Sequence, residues 1–431
     1  MEEVLGALKE FGQKTFSSLK IRNYRLYFIG QAFSHCGNWM QTLALSWLVL
    51  ELTGSGTQLG ALLAFRFAPL LIGAPFAGAL VDSIDKRRLL YATQWVAGIL
   101  AFVMSALIFA DVIQVWMVYI AAAAFGIVDA VDRPLRQTFV HEMVGPKELR
   151  NAVTLSSTEA NLARAVGPLF AGTLIASVGI AFCFVANGLS FLVVIAMLTF
   201  LRQEEMHQEK KHTEDSTHVL AGLRYAASMP LIRNILIMMA VIGTLAYEFQ
   251  VSLPLFAQNT FAGNAADYAA LLSAMGIGSV VGGLFMASRE RVAVSEFVLS
   301  AFLMGLSMCV TAILPTLSLA VIGMLFIGFF SINLTSVGNT IVQLESAPYI
   351  RGRVMALWMM ALFGSTLIGA PIVGIVGEYA GARWGIALGG IAAILAAVFG
   401  AMSLIRKDRI QRVPVEVALL SEDTTAENTK L

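Results

Sequence analysis

Apolar stretches long enough to cross a bilayer recur along nearly the whole chain, and no other feature limits the possible folds so strictly. A helix needs about 20 apolar residues to span a hydrocarbon core about 30 Å thick. Twelve such spans can be read, roughly at 24–50, 57–81, 89–110, 113–135, 152–177, 180–201, 232–257, 267–287, 293–314, 317–341, 354–377 and 384–405. They are continuously apolar rather than alternating, which excludes a transmembrane β-barrel. Hydrophobic side chains make up 58% of the 431 residues, well beyond an ordinary soluble domain. Cys36, Cys183 and Cys309 sit inside apolar runs, too few and too scattered for a disulfide framework. The N-terminus carries charges throughout and does not read as a signal peptide.

Charge is scarce, so its placement is informative. One polar interval, Arg202 to Met229, divides the spans six and six. Lys9, Lys14, Lys20, Arg22 and Arg25 precede the first span, and Lys86, Arg87 and Arg88 lie between the second and third. Arg133, Arg136, Lys147 and Arg150 follow, then the central interval, Arg289, Arg291, Arg351, Arg353 and the group from Arg406 to Arg412. All these loops face the cytoplasm if the N-terminus does, leaving only Arg383 outside, so both termini are expected inside. The expected division is a cytoplasmic segment 1–22, a six-helix bundle 23–201, a cytoplasmic linker 202–230, a second bundle 231–405 and a tail 406–431. Val4, Leu8, Phe11 and Phe16 are spaced for a short interfacial helix, a disordered leader being the other reading.

The two halves are copies of one another. "TFVHEMVGPKELRNAV" from Thr138 aligns with "TIVQLESAPYIRGRVM" from Thr340, and Pro168 in "VGPLFAG" aligns with Pro371 in "GAPIVG". Two like bundles around a midplane cavity are the expected architecture.

With spans, repeat and loops in view, "GALVDSIDKRRLL", Gly78 to Leu90, resembles the loop 2–3 motif of the major facilitator superfamily: Gly78, then Asp82, then the basic cluster. "RAVGPLFAG" resembles the proline-glycine signature of its antiporter branch, with Ala171 in place of one glycine. "NYRLYFIGQAFSHCGNWMQTLALSWLVLELTGS", "DRPLRQTFV" and "RGRVMAL" are similar to the bacterial exporters that include the enterobactin exporter and macrolide efflux proteins. The resemblance covers the whole length and implies an all-α fold of twelve transmembrane helices in two pseudo-symmetric bundles, in the inner membrane of a bacterium. It also implies a cytoplasmic gate: Gly78 as a close-packing point and Asp82 as a latch whose partners come from the fourth and eleventh spans, here Arg136 and Arg353. Gly167, Pro168 and Gly172 read as a hinge or tight contact, with ordinary kinked packing as the alternative. Asp132 and Arg136 are spaced for a local i,i+4 pair.

Ionisable groups deep in a membrane usually face a cavity or a partner. His35, Arg66, Arg164 and Glu248 stand deepest, and Glu159 lies about one turn from Arg164, close enough to pair with it. A carboxyl or imidazole reached by water from alternate sides can load and release a proton, which makes Glu248 and His35 the coupling candidates. Asn38, Gln41, Tyr247, Gln250, Asn333, Asn339 and Gln343 are expected to line the cavity. No phosphate-binding loop, nucleotide domain or metal cluster is present, so neither an enzyme nor an ATP-driven pump is expected, and no cofactor is implied. The chain reads as a monomeric secondary transporter that exchanges protons for an amphipathic small molecule of drug, macrolide or siderophore type. Membrane lipids are its surroundings, and nucleic acid is not a partner. A lipid or lysophospholipid flippase of the same fold and a non-transporting membrane sensor or scaffold remain as alternatives.

Overall fold

The computed structural model describes residues 16–207, 219–289, 291–405 and 413–414. Its helices are α1 (Arg22–Thr53), α2 (Gly56–Ser83), α3 (Lys86–Phe109), α4 (Val115–Ser177), α5 (Ala181–Thr199), α6 (Val219–Ser228) and α7 (Pro230–Leu245). They continue with α8 (Phe249–Leu255), α9 (Ala265–Ala287), α10 (Val294–Ile313), α11 (Leu317–Glu345), α12 (Arg351–Met359), α13 (Thr366–Tyr379) and α14 (Ala382–Gly400). Three π-helical turns, Phe256–Thr260, Met360–Gly364 and Ala401–Ile405, interrupt the regular helices.

Among the described residues, ten helical segments are long and apolar enough to cross a membrane. Two physical features separate that number from the twelve spans of the sequence. The expected fourth and fifth spans run together in α4, whose 63 residues would reach about 95 Å if straight. The break is at Gly145, with φ 65° and ψ 175°, a left-handed conformation that glycine adopts freely. Pro146 follows as the first residue of the second limb, where its missing N–H matters least. The expected first span lies in α1, an unbroken 32-residue helix whose apolar run is interrupted by Gln31, Ser34, His35 and Asn38.

Helix ends are fixed by local chemistry. The Asp85 carboxylate accepts from the Arg88 N–H at the start of α3, and Asn264 and Asp267 form a reciprocal cap on α9. Gly54 closes α1 with φ 62°.

By its contacts the chain forms two compact units. Unit 1 holds residues 1–54 and 65–214. In it α1 packs along α4 and α5, and α3 packs along α5 and α4. An apolar core cluster in it joins Tyr24, Leu90, Phe139, Met143, Ala152 and Leu198. Unit 2 holds residues 215–431 and the first turns of α2, residues 55–64. There α9 packs on α11, α10 on α14 and α11, and α7 on α14 and α13. Within unit 2 the Glu378 carboxylate of α13 accepts from the Ser55 hydroxyl at 2.6 Å and the Thr57 N–H at 2.8 Å, satisfying the exposed start of α2.

Candidate functional site

The chain is irregular where unit 2 buries its loneliest charge. α7 ends at Leu245 and α8 starts at Phe249; between them Glu248 takes φ −84° and ψ 42°. The helix restarts on the Glu248 carbonyl, which accepts from the N–H groups of Val251 and Ser252, both at 3.0 Å, and from the Ser252 hydroxyl at 3.2 Å. Glu248 as a whole is only 2% exposed. Thr366 of α13 lies nearby, yet neither carboxyl oxygen has a partner in hydrogen-bonding geometry. Backbone packing holds the break in place. A Cβ on Gly243 would lie 2.3 Å from the Ala361 carbonyl in the π turn Met360–Gly364, and one on Gly369 would lie 1.6 Å from the Thr244 carbonyl. Broken helices at membrane depth persist only where protein buries them or water reaches them, and they recur at ion and substrate sites.

Around the break, the Ser331 hydroxyl donates to the Tyr247 phenol at 3.1 Å. Asn333, also on α11, donates to the Phe329 carbonyl, and its own carbonyl oxygen is buried without a partner. Gln250 is half-buried. Asn339 and Gln343 pair with each other at 3.3 Å, farther along α11.

Unit 1 gathers the other deep groups. His35 Nδ1 lies 2.8 Å from Glu159 Oε2, so Glu159 pairs with histidine and not, as its spacing suggested, with Arg164. The Arg164 guanidinium instead lies over the Trp39 ring, 5.1 Å from its centre. Glu159 Oε1 has no partner, and on the same helix as His35 the polar atoms of Gln31 and Ser34 are buried without one. Gly167 lets α4 meet α1 closely: a Cβ there would lie 2.8 Å from the Cys36 carbonyl. Helical geometry continues through Pro168 and the buried Gly172, so the non-helical joint of α4 is at Gly145. Asn38 and Gln41 both accept from the Asn187 amide of α5, at 3.3 and 2.8 Å, and Gln41 is buried in that contact.

At the end of unit 1 that the charge pattern places inside, Asp132 pairs with Arg136 and accepts from Thr93 at 2.8 Å and Gln94 at 2.9 Å. Arg136 also donates to Gln94 at 3.2 Å. α2 runs through Gly78 and Asp82, but the side chain of Asp82 and the surroundings of Gly78 lie outside the described residues. Lys86 meets Glu142 at 2.7 Å, and Arg87 donates to the Leu198 carbonyl at 2.6 Å, so two of the three motif cations have specific partners. In unit 2, Arg353 lies in the first turn of α12 and packs its Cβ against Gly222 of α6. Asp132→Ala leaves Arg136 as an uncompensated charge and is expected to cost about 3–5 kcal/mol of stability. A thermal unfolding midpoint equal to wild type in a nanodisc would contradict that role.

With two helical units, a broken midspan helix and deep paired charges described, the likeness to known proteins becomes specific. The model of the transmembrane secretion effector family, within the major facilitator superfamily, matches residues 13–423. The chain belongs to this family. The staphyloferrin A transporter of Staphylococcus aureus is 24% identical over 341 residues, 78% of this chain and 85% of that one. The multidrug efflux pump Tap of Mycolicibacterium fortuitum is 25% identical over 356 residues, covering 80% and 87%. The enterobactin exporter EntS of Shigella boydii is 20% identical over 399 residues, covering 91% and 94%. Among solved structures, a peptide transporter POT aligns with TM-score 0.73 at 11% identity over 90% of this chain and 95% of that one. An inward-facing, occupied bacterial homologue of the lysosomal transporter Spinster aligns with TM-score 0.69 at 13% identity, covering 90% and 98%. These two carry the fold alone. The protein is a multi-pass membrane transporter of the major facilitator fold, as the motifs imply.

Four residues of these contacts escape a sequence reading. Thr366, Asn187 and the Thr93–Gln94 pair are neutral polar residues inside apolar spans. Their only signal was polarity at depth, shared with many hydroxyls that merely bond their own helix, as Thr154 and Thr158 do.

Proposed function

We propose that the chain exports amphipathic small molecules of the siderophore or drug type in exchange for protons, by alternating access. The observation that carries this reading is Glu248: a carboxylate buried in a membrane helix break without a hydrogen-bond partner. Such a group is costly unless it is neutralised or serves a passing ion. The break gives it a backbone able to rearrange, and the π turn Met360–Gly364, packed on α7, is of the kind found at functional sites. The paired His35 and Glu159 supply a second proton-exchanging site, in unit 1. Named relatives that move staphyloferrin A, enterobactin and several drugs support the substrate class. The basic residues on one set of loops support cytoplasmic termini in a bacterial inner membrane. Function follows from the monomer, with no cofactor.

The test uses purified protein in proteoliposomes with an imposed pH difference. Acid on the side facing the outer loops is expected to drive substrate toward that side, with measurable alkalinisation there. Substrate movement indifferent to the pH difference would sink proton coupling while leaving transport itself intact.

A further inference from the structure

The charges of unit 1 do not cancel where α2 meets α4. Arg66 lies in the membrane-crossing stretch of α2, and its Nη2 is 3.2 Å from Asp129 Oδ2. Arg133, one turn beyond Asp129 on α4, places its own Nη2 3.8 Å from the same oxygen. Two guanidiniums therefore share one carboxylate and leave a surplus positive charge. No other hydrogen bond or ion pair of either guanidinium is found among the described residues. Each guanidinium carries five donors in a planar fork that matches carboxylates, so most of that donor capacity is unused.

The surroundings show where such a charge can go. A Cβ on Gly126 would lie 2.1 Å from the Arg66 carbonyl, so α2 and α4 touch backbone to backbone one turn before Asp129. That contact sets the reach of Arg66. Side-chain exposure then rises from 15% at Arg66 to 30% at Asp129 and 49% at Arg133. Arg133 is one of the basic residues that the charge pattern puts at the cytoplasmic end, so the cluster opens from the membrane interior toward that side. A fully matched structural ion pair needs no second arginine.

We propose that Arg66 and Arg133 form an anion-recognition site, held open by Asp129, for substrates carrying a carboxylate or a similar planar anionic oxygen group. Asp129 occupies the forks at rest, keeping Arg66 aligned, and yields to the incoming anion. The proposal rests on the transport reading above and narrows its substrate class. It assigns substrate recognition to unit 1, separate from the proton-exchanging Glu248 of unit 2.

The test measures equilibrium binding to the full-length protein in nanodiscs, with no pH difference, by fluorescence polarisation. Carboxyfluorescein serves as the amphipathic anion and ethidium as the amphipathic cation. Wild type is expected to bind carboxyfluorescein more tightly than ethidium. Arg66→Gln should weaken carboxyfluorescein about tenfold or more, the loss expected when a charged fork is removed, and leave ethidium unchanged. Arg66→Lys should recover only part, because the charge returns without the planar fork. Asp129→Asn should tighten carboxyfluorescein by removing the resident competitor. Should Arg66→Gln fail to fold, the more exposed Arg133→Gln gives the same readout with a smaller shift. Equal affinity of wild type for both dyes, or equal effects of each variant on both, overturns anion recognition. Because binding is read without a gradient, absence of proton-driven transport refutes the coupling reading and leaves this result standing.

Discussion

Glu248→Gln is expected to lower pH-driven substrate movement by about two orders of magnitude, the scale typical of losing a positioned proton-transfer group. Exchange of substrate down its own gradient should persist, since glutamine keeps the size and hydrogen-bonding capacity of the side chain. Glu248→Asp, which shortens the reach toward Thr366, should retain part of the coupling. The same glutamine variant carries a second expected result. A buried carboxylate without a hydrogen-bonded partner destabilises the fold around it, so its neutral isostere should raise the thermal unfolding midpoint. Coupling and stability would then move in opposite directions, as expected of a site kept for function. A glutamine variant that unfolds earlier than wild type and still pumps protons would make Glu248 a structural residue.

The second large effect lies in the packing that holds the break. Gly369→Val is expected to destabilise unit 2 by about 3 kcal/mol or more, at the upper end for overpacking, because a backbone carbonyl blocks the new side chain. Its Cβ would fall 1.6 Å from the Thr244 carbonyl, where α13 meets the end of α7. Transport should be lost along with the lowered unfolding midpoint. Gly283→Ala and Gly352→Ala are the matched controls, since nothing lies within 4 Å of a Cβ at either position. An unfolding midpoint for Gly369→Val within a degree of both controls would mean that α7 and α13 do not approach so closely.

Much of the fold was legible because membrane helices announce themselves by length and apolarity, both written in consecutive residues. The sequence also exposed the deep charges, since one glutamate in "TLAYEFQVSLPLF" stands against a run of apolar neighbours. Partnership was not legible in the same way. Glu159 lies near Arg164 in sequence, yet α1 packs against α4 so that His35 reaches it first. Five residues apart on one helix, Glu159 and Arg164 point about 140° away from each other, so the spacing itself disfavours that pair; which residue of α1 meets Glu159 depends on helix packing, which spacing does not encode. The break at Glu248 was equally silent: Pro254 lies inside α8 after the restart, and the irregular residues carry no glycine or proline. Tertiary contact through Gly243, Gly369 and Gly389 sustains it, and glycines are common enough in such spans to hide that role.

The unmet hydrogen bonds of Gln31 and Ser34 on α1 bear on how this protein can be engineered. Replacing both with apolar residues of similar size would remove a standing desolvation penalty from the interior of unit 1. Selection for heat tolerance alone would therefore tend to find these positions early. It would strip polar groups from the helix face that also carries His35, yielding a robust protein with a more apolar surround for its histidine. Thermostable variants chosen for crystallisation should for that reason keep Gln31 and Ser34.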